Sequence, residues 1–164
     1  RTRGGVSRVP MNHWLLKSEP STFGIDDLAR RPGHRDCWDG VRNYQARNFL
    51  RSMKRGDLAF FYHSNAAETG IAGIVKIVAG AYPDPTAFDA GDAHFDPRSD
   101  PARPVWYMVD VKLERKLKRV IPLAELKARR ELQGMTLLRP GNRLSVMPVD
   151  ERHWDAILKL ERAG

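Results

Sequence analysis

Among its 164 residues the sequence has one cysteine, Cys37. A single thiol excludes an intramolecular disulfide and a Cys-rich metal framework, and it points to a reducing, cytoplasmic setting. Long hydrophobic runs are missing too. No apolar stretch approaches the ~20 residues of a membrane span, and no leader-like apolar segment appears near the start. No membrane partner is expected. Catalytic signatures are equally scarce. Gly-x-Ser-x-Gly and His-Glu-x-x-His are absent, and Gly70 and Gly73 lead into a β-branched run, not into Lys-Ser/Thr and a helix as a phosphate-cradling loop requires. Asp84, Asp89, Asp92, Asp96 and Asp100, with His94 among them, fit neither EF-hand nor zinc spacing and suggest a solvated loop. No cofactor and no metal are expected.

What is present is a basic globular chain. Lys plus Arg number 28 and Asp plus Glu 20, a net charge of +8, with 41% hydrophobic and 29% charged residues. That balance supports a buried core, and the surplus makes a polyanion the first partner to consider. Residues 1–10 carry Arg1, Arg3 and Arg8 without an apolar period. They are expected to be an extension preceding a single domain over residues 11–164, a basic arm on nucleic acid being the alternative. Without the extension's three charges the domain keeps +5. That charge is segregated: Arg42–Arg55 holds five cations and no acid, whereas Asp84–Asp100 is acidic.

Periodicity predicts strands over His13–Ser18, Asp57–His63, Ile71–Ala79, Val105–Leu113 and Arg143–Val149. Helices are predicted over Ile25–Arg30, Tyr44–Lys54, Pro122–Ala128 and from Asp150 onward. In Tyr44–Lys54, Ala46, Phe49, Leu50 and Met53 make one apolar stripe, with Gly56 expected as its left-handed cap. Asp150 is placed as the N-cap of the last helix, with Val149 and Trp154 as a hydrophobic staple. Tyr82–Pro104, rich in Pro, Asp and Gly, reads as a loop. Five or six strands without regular βαβ alternation imply an α+β domain around a curled sheet or small barrel.

The informative stretch is Trp38-Asp-Gly-Val-Arg-Asn-Tyr-Gln-Ala-Arg-Asn48. Trp38 and Tyr44 offer flat apolar faces, Arg42 and Arg47 guanidinium forks suited to phosphate, and Asn43, Gln45 and Asn48 amides that can bond base edges. The same residues could instead be core aromatics and a solvated helix face. Lys112–Arg119 adds five cations against Glu114 and could equally be the solvated end of a β-ribbon. Cys37 near His34, and His63-Ser64 after a buried strand, are the candidates for nucleophilic chemistry, but nothing in the sequence orients either histidine.

Several segments together resemble the EVE domain family. They are Trp14-Leu-Leu-Lys-Ser-Glu-Pro20, the Trp38–Asn48 string, Gly56-Asp57 with Phe61-Tyr-His-Ser-Asn65, Tyr82-Pro-Asp-Pro85, Trp106-Tyr-Met-Val-Asp110 and Arg143-Leu-Ser-Val-Met-Pro-Val149, in that order from Met11 to Leu160. The resemblance implies a PUA-like mixed β-barrel of about five to six strands with inserted helices. It implies a non-enzymatic module, monomeric, that reads a modified nucleobase in DNA or RNA, modified cytosine in DNA above others, held flipped out in a pocket. Carried onto this chain, the pocket is expected to use Trp14, Lys17, Ser18, Trp38, Asn43, Tyr44, His63, Ser64, Asn65 and Ser145. Phosphate is expected at Arg42, Arg47, Arg51, Lys112, Arg115 and Arg143. Trp14, in an apolar strand, fits the core as well as the pocket wall. The alternatives are a small enzyme acting on a nucleobase or small acid through His63, Ser64 or Cys37, and an accessory module whose Lys112–Arg119 ribbon docks on RNA or protein beside a vestigial pocket.

Overall fold

Among the described residues six strands share one mixed sheet in the order β2-β5-β4-β3-β1-β6. They are β1 (His13–Ser18), β2 (Arg35–Trp38), β3 (Leu58–His63), β4 (Gly70–Pro83), β5 (Tyr107–Pro122) and β6 (Val146–Val149). β1 and β3 run parallel, and every other neighbouring pair is antiparallel. Among the described residues five α-helices accompany them: α1 (Pro20–Phe23), α2 (Ile25–Arg30), α3 (Tyr44–Ser52), α4 (Leu123–Lys127) and α5 (Glu151–Ala163). The computed structural model describes residues 12–163, so the expected extension Arg1–Pro10 lies outside the described residues.

Alternation along the strands sends side chains to two separate cores. Leu16 of β1, Phe61 of β3, Val75 of β4 and Val109 of β5 face one side, where Leu28 of α2 and Leu50 of α3 cover them. Leu15, Phe60, Ile74 and Met147 face the other, beneath Leu126 of α4 and Trp154 and Ile157 of α5. Phe60 and Trp154 stack with ring centroids 3.9 Å apart. Val149 and Trp154 are both buried here, and Asp150 O accepts from Trp154 N at 2.9 Å, so the last helix starts where the staple was expected. Gly73 lets α2 approach β4 closely, since a Cβ there would collide with Cδ1 of Ile25.

The sheet curls. Trp38 on β2 and Phe61 on β3 are separated by β5 and β4, about 14 Å in a flat sheet, yet their rings meet edge to face at 5.3 Å. The ladder does not close between β2 and β6, and α3 packs across β4, β5 and β6 in its stead. The register shifts within β4 and β5 supply the bends.

Several expected boundaries are corrected. β2 was not expected. β4 continues to Pro83, and β5 runs nine residues past Leu113 through the whole basic segment Lys112–Arg119. Arg143–Ser145 is not strand, because β6 starts at Val146. α3 stops at Ser52, where Met53 turns extended. Gly56 does have φ +99, but it makes the turn into β3, its N–H donating to Ile77 O at 2.8 Å.

Candidate functional site

A cavity of about 700 Å³ lies where the curl brings β2 against the end of β1 and the chain preceding β6. Trp38, the last residue of β2, forms an apolar wall with Phe23, the last residue of α1, at 6.3 Å between ring centroids. Arg31 covers the Phe23 ring at 5.3 Å and pairs with Asp36 at 2.8 Å. Opposite are Lys17 and Ser18 from β1, Ser64 after β3, and Arg143 and Ser145 before β6. Backbone bonds fix that side: Lys17 N–H donates to Ser145 O at 2.8 Å, and Ser64 N–H to Ser18 O at 3.0 Å.

The rim is built on a buried carboxylate. Asp84 is wholly buried and accepts from Gly40 N–H (2.9 Å), Arg42 Nη1 (3.0 Å), and the Thr86 amide (2.9 Å) and hydroxyl (2.6 Å). Desolvation opposes its charge, but these bonds win and hold it below the ordinary carboxylate range. Arg42 also donates to Thr86 Oγ1, Val41 O and His94 O. Its guanidinium therefore ties the loop after β4 to the Trp38–Asn48 segment. Gly40, at φ +76, lets His94 close over it, because a Cβ there would lie 2.7 Å from the imidazole.

Charge inside the cavity is mixed. Asp39 has its carboxyl raised above the usual range, first by desolvation and then by Asp84, with His94 opposing. Lys17 is lowered by burial. Cys37 lines the cavity, and burial followed by Asp39 and Asp36 pushes its thiol up to about 11. A thiol that stays protonated at neutral pH is a poor nucleophile. His63 is occupied elsewhere, its Nε2 accepting from Ile25 N–H at 3.1 Å. Among the described residues, no hydrogen bond joins Cys37, His63 and Ser64 into a catalytic set, and no three metal-ligating side chains cluster. No helix among the described residues is long and apolar enough to cross a membrane.

Of the expected site residues, the cavity gathers Lys17, Ser18, Trp38, Ser64, Ser145, Arg42 and Arg143. The others lie outside it, for physical reasons. Trp14 is core, its Nε1 donating to buried Asp57 at 3.0 Å. Asn43 is the N-cap of α3, accepting from Ala46 N–H at 2.9 Å. His63 holds α2, and Asn65 is exposed at the β3–β4 turn with φ +47. Tyr44 is 58% exposed and stacks on Trp106 at 4.9 Å, with Arg47 over its ring at 5.2 Å. Arg47 also donates to Val105 O, and Arg51 lies 4.6 Å over the Tyr107 ring. Lys112 sits on β5 in register with Arg35 and Lys76. Arg115 makes a two-pronged ion pair with Glu161, so its expected phosphate role gives way to a structural one. Lys116 and Arg119 are likewise paired, with Asp26 and Glu125.

The sequence reading missed Asp39, Phe23 and His94. Asp39 stands next to Trp38 in the string already singled out, and only its sign, in a basic chain, hid it. Phe23 and His94 come from an unexpected helix and from a loop set aside as solvated.

Comparison with known proteins places this geometry. The sequence profile of the EVE domain matches residues 12–160. Human thymocyte nuclear protein 1 is 49% identical over 166 residues, covering 92% of this chain and 74% of that one. The crystal structure of human THYN1 protein in complex with 5-methylcytosine containing DNA superposes with a TM-score of 0.88 at 49% identity, covering 92% of this chain and 97% of that one. A Pseudomonas syringae protein superposes with a TM-score of 0.87 at 50% identity, covering 91% and 99%.

Proposed function

The chain belongs to the EVE domain family, with its PUA-like fold, and from that premise we propose that it is a non-enzymatic module that takes one modified nucleobase, modified cytosine in DNA foremost, flipped out of its stack into the cavity beside Trp38. The observation that carries the reading is the pairing of an aromatic wall, Trp38 and Phe23, with the Asp39 carboxyl beside it, among serines and cations; of the other lining carboxyls, Asp36 is taken up by Arg31. Cytosine presents an exocyclic amine donor that a carboxylate accepts. Its ring nitrogen and carbonyl are acceptors, which Lys17, Arg143 and the serine hydroxyls complement. Thymine carries the same methyl but an acceptor in place of the amine, so Asp39 disfavours it. Extruding a base costs a few kcal/mol, and stacking on an aromatic returns ~1–3 kcal/mol. The relative crystallised with 5-methylcytosine DNA supports the ligand class. An open cavity of about 700 Å³ weighs against a vestigial pocket, and a Cys37 thiol near 11 weighs against nucleophilic catalysis.

Fluorescence anisotropy tests this with duplexes identical except for one position carrying cytosine, 5-methylcytosine, 5-hydroxymethylcytosine or thymine, and with the matching RNA. A methyl in a fitted pocket gives roughly 10–200-fold preference, so 5-methylcytosine is expected to bind at least tenfold tighter than cytosine and thymine to bind weakly. Asp39→Ala is expected to lose about tenfold or more on the methylated duplex, as for one charge-assisted hydrogen bond, and to narrow the margin over thymine, which lacks the amine. Equal affinity for all duplexes at low salt refutes the reading.

A further inference from the structure

A second cavity, about 680 Å³, opens on the other side of Lys17. Its floor is Tyr62 and Leu137, and its walls carry Lys17, Lys127, Arg129 and Arg139 with no carboxylate among the lining residues. Four cations converge there without an acid, whereas on β5 Lys116, Arg115 and Arg119 are matched by Asp26, Glu161 and Glu125. Among the described residues, only Arg129 of the four has an ion-pair neighbour, Glu125 at 3.9 Å, and Glu125 is already held by both prongs of Arg119. Lys17 lies over the Tyr62 ring, 5.8 Å from its centroid, and burial lowers its pKa, as for a cation short of a counter-charge.

The two cavities adjoin. Lys17 lines both, and the segment preceding β6 runs from one to the other: Arg139–Asn142 borders the cationic cavity, and Arg143 and Ser145 border the base cavity. Its course is fixed, since Asn142 N–H donates to Arg139 O at 3.1 Å and Asn142 Oδ1 accepts from Leu144 N–H at 3.1 Å. Gly141 turns this rim at φ +76 with open space around it.

We infer that the cationic cavity is a phosphate subsite for the nucleic-acid strand that delivers the base: the backbone leaving the base cavity passes Lys17, and its phosphates lie between Lys127, Arg129 and Arg139. The occupant must be polyanionic, because four cations without an acid repel one another until anions arrive. It must also be continuous with the base, because the cavities share a wall. This inference rests on the base-reading function, and it adds the path of the strand.

The test uses the full chain with Lys127→Gln and Arg139→Gln combined, both residues being exposed and outside the base cavity. Affinity for the 5-methylcytosine and cytosine duplexes is measured from 50 to 200 mM KCl. Each duplex phosphate contact contributes about 0.9 to the slope of log K against log salt, so the double variant is expected to lower that slope by about 1.8 on both duplexes. The ratio between the duplexes should stay at the parental value. A control removing the same charge from α5, Lys159→Gln with Arg162→Gln, should leave the slope unchanged. A parental slope in the cavity variant overturns the subsite, as does an equal drop in the control. A lowered slope with no preference for either duplex in the parent keeps the subsite and refutes the base reading. A parent that binds neither duplex refutes both.

Discussion

Replacing Asp84 by alanine removes the acceptor on which the rim of the base cavity is built. Four donors lose their partner at once: Gly40 N–H, Arg42 Nη1, and the amide and hydroxyl of Thr86. Breaking a buried ion pair from one side costs about 3–5 kcal/mol. Arg42 keeps acceptors at Val41 O, Thr86 Oγ1 and His94 O, and its side chain is 22% exposed, so the lower part of that range applies, about 3–4 kcal/mol. Asp84→Asn keeps one neutral acceptor but turns an NH₂ toward a donor, and about 2 kcal/mol is expected. Urea unfolding followed by tryptophan fluorescence at pH 7 measures both, with the slope against denaturant checking that the transition stays two-state. Asp84 titrates below its ordinary value in the folded protein. Its stabilisation is therefore complete above the unfolded pKa near ~3.9 and is lost as pH falls through the folded value. The gap between parent and Asp84→Ala should accordingly be full at neutral pH and close only below about pH 4. A loss under 1 kcal/mol at pH 7, or a gap unchanged at pH 3, refutes the claim that this carboxylate holds the rim.

Two further outcomes follow from groups described above. Arg115→Ala strands Glu161, which is 2% exposed. Because Arg115 stands half in water, about 2 kcal/mol is expected and not the full cost of a buried pair. Glu161 is held low chiefly by its bond to Arg115, so the parent's advantage in urea unfolding should be complete at pH 7 and shrink as pH falls below about 4.3. Cys37, with its thiol near 11, is expected to react with N-ethylmaleimide at pH 7 far more slowly than a free thiol, and faster as pH rises through 9. The methylated duplex should protect it, while an equal length of unmodified duplex protects less. Mass spectrometry reads the extent of labelling.

Where burial and period coincide, the sequence was legible. β1, β3 and α3 appear within two residues of their expected ends, because Leu15, Phe60 and Leu50 leave their segments few other ways to be buried. β2 was not legible. Arg35-Asp36-Cys37-Trp38 is too short and polar to show a period, and it exists through its pairing with β5. The second half of β5 was masked in the opposite way, its charges suggesting a solvated ribbon when three of them are bound to Asp26, Glu125 and Glu161 across the fold. At the site, the Trp38–Asn48 string was found, but its residues divide the work in a manner no string displays. Trp38 faces the cavity, Arg42 ties down a loop, Asn43 caps a helix and Tyr44 stands on the surface. Side-chain direction within a turn depends on partners more than forty residues away, as Arg42 and Asp84 illustrate.

β2 and β1 lie four places apart in the sheet order, and the cavity is the place where their ends meet. A ligand seated there touches both sides of the open seam and so acts as a clasp on the curl. Its site is complete only in the closed curl, because Trp38 comes from one side of the seam and Lys17, Ser18, Arg143 and Ser145 from the other. Binding then stabilises closure as well as the cavity. Amides of β2 should gain hydrogen-exchange protection together with those of β6, at the other margin of the sheet, although no residue of β6 lines the base cavity.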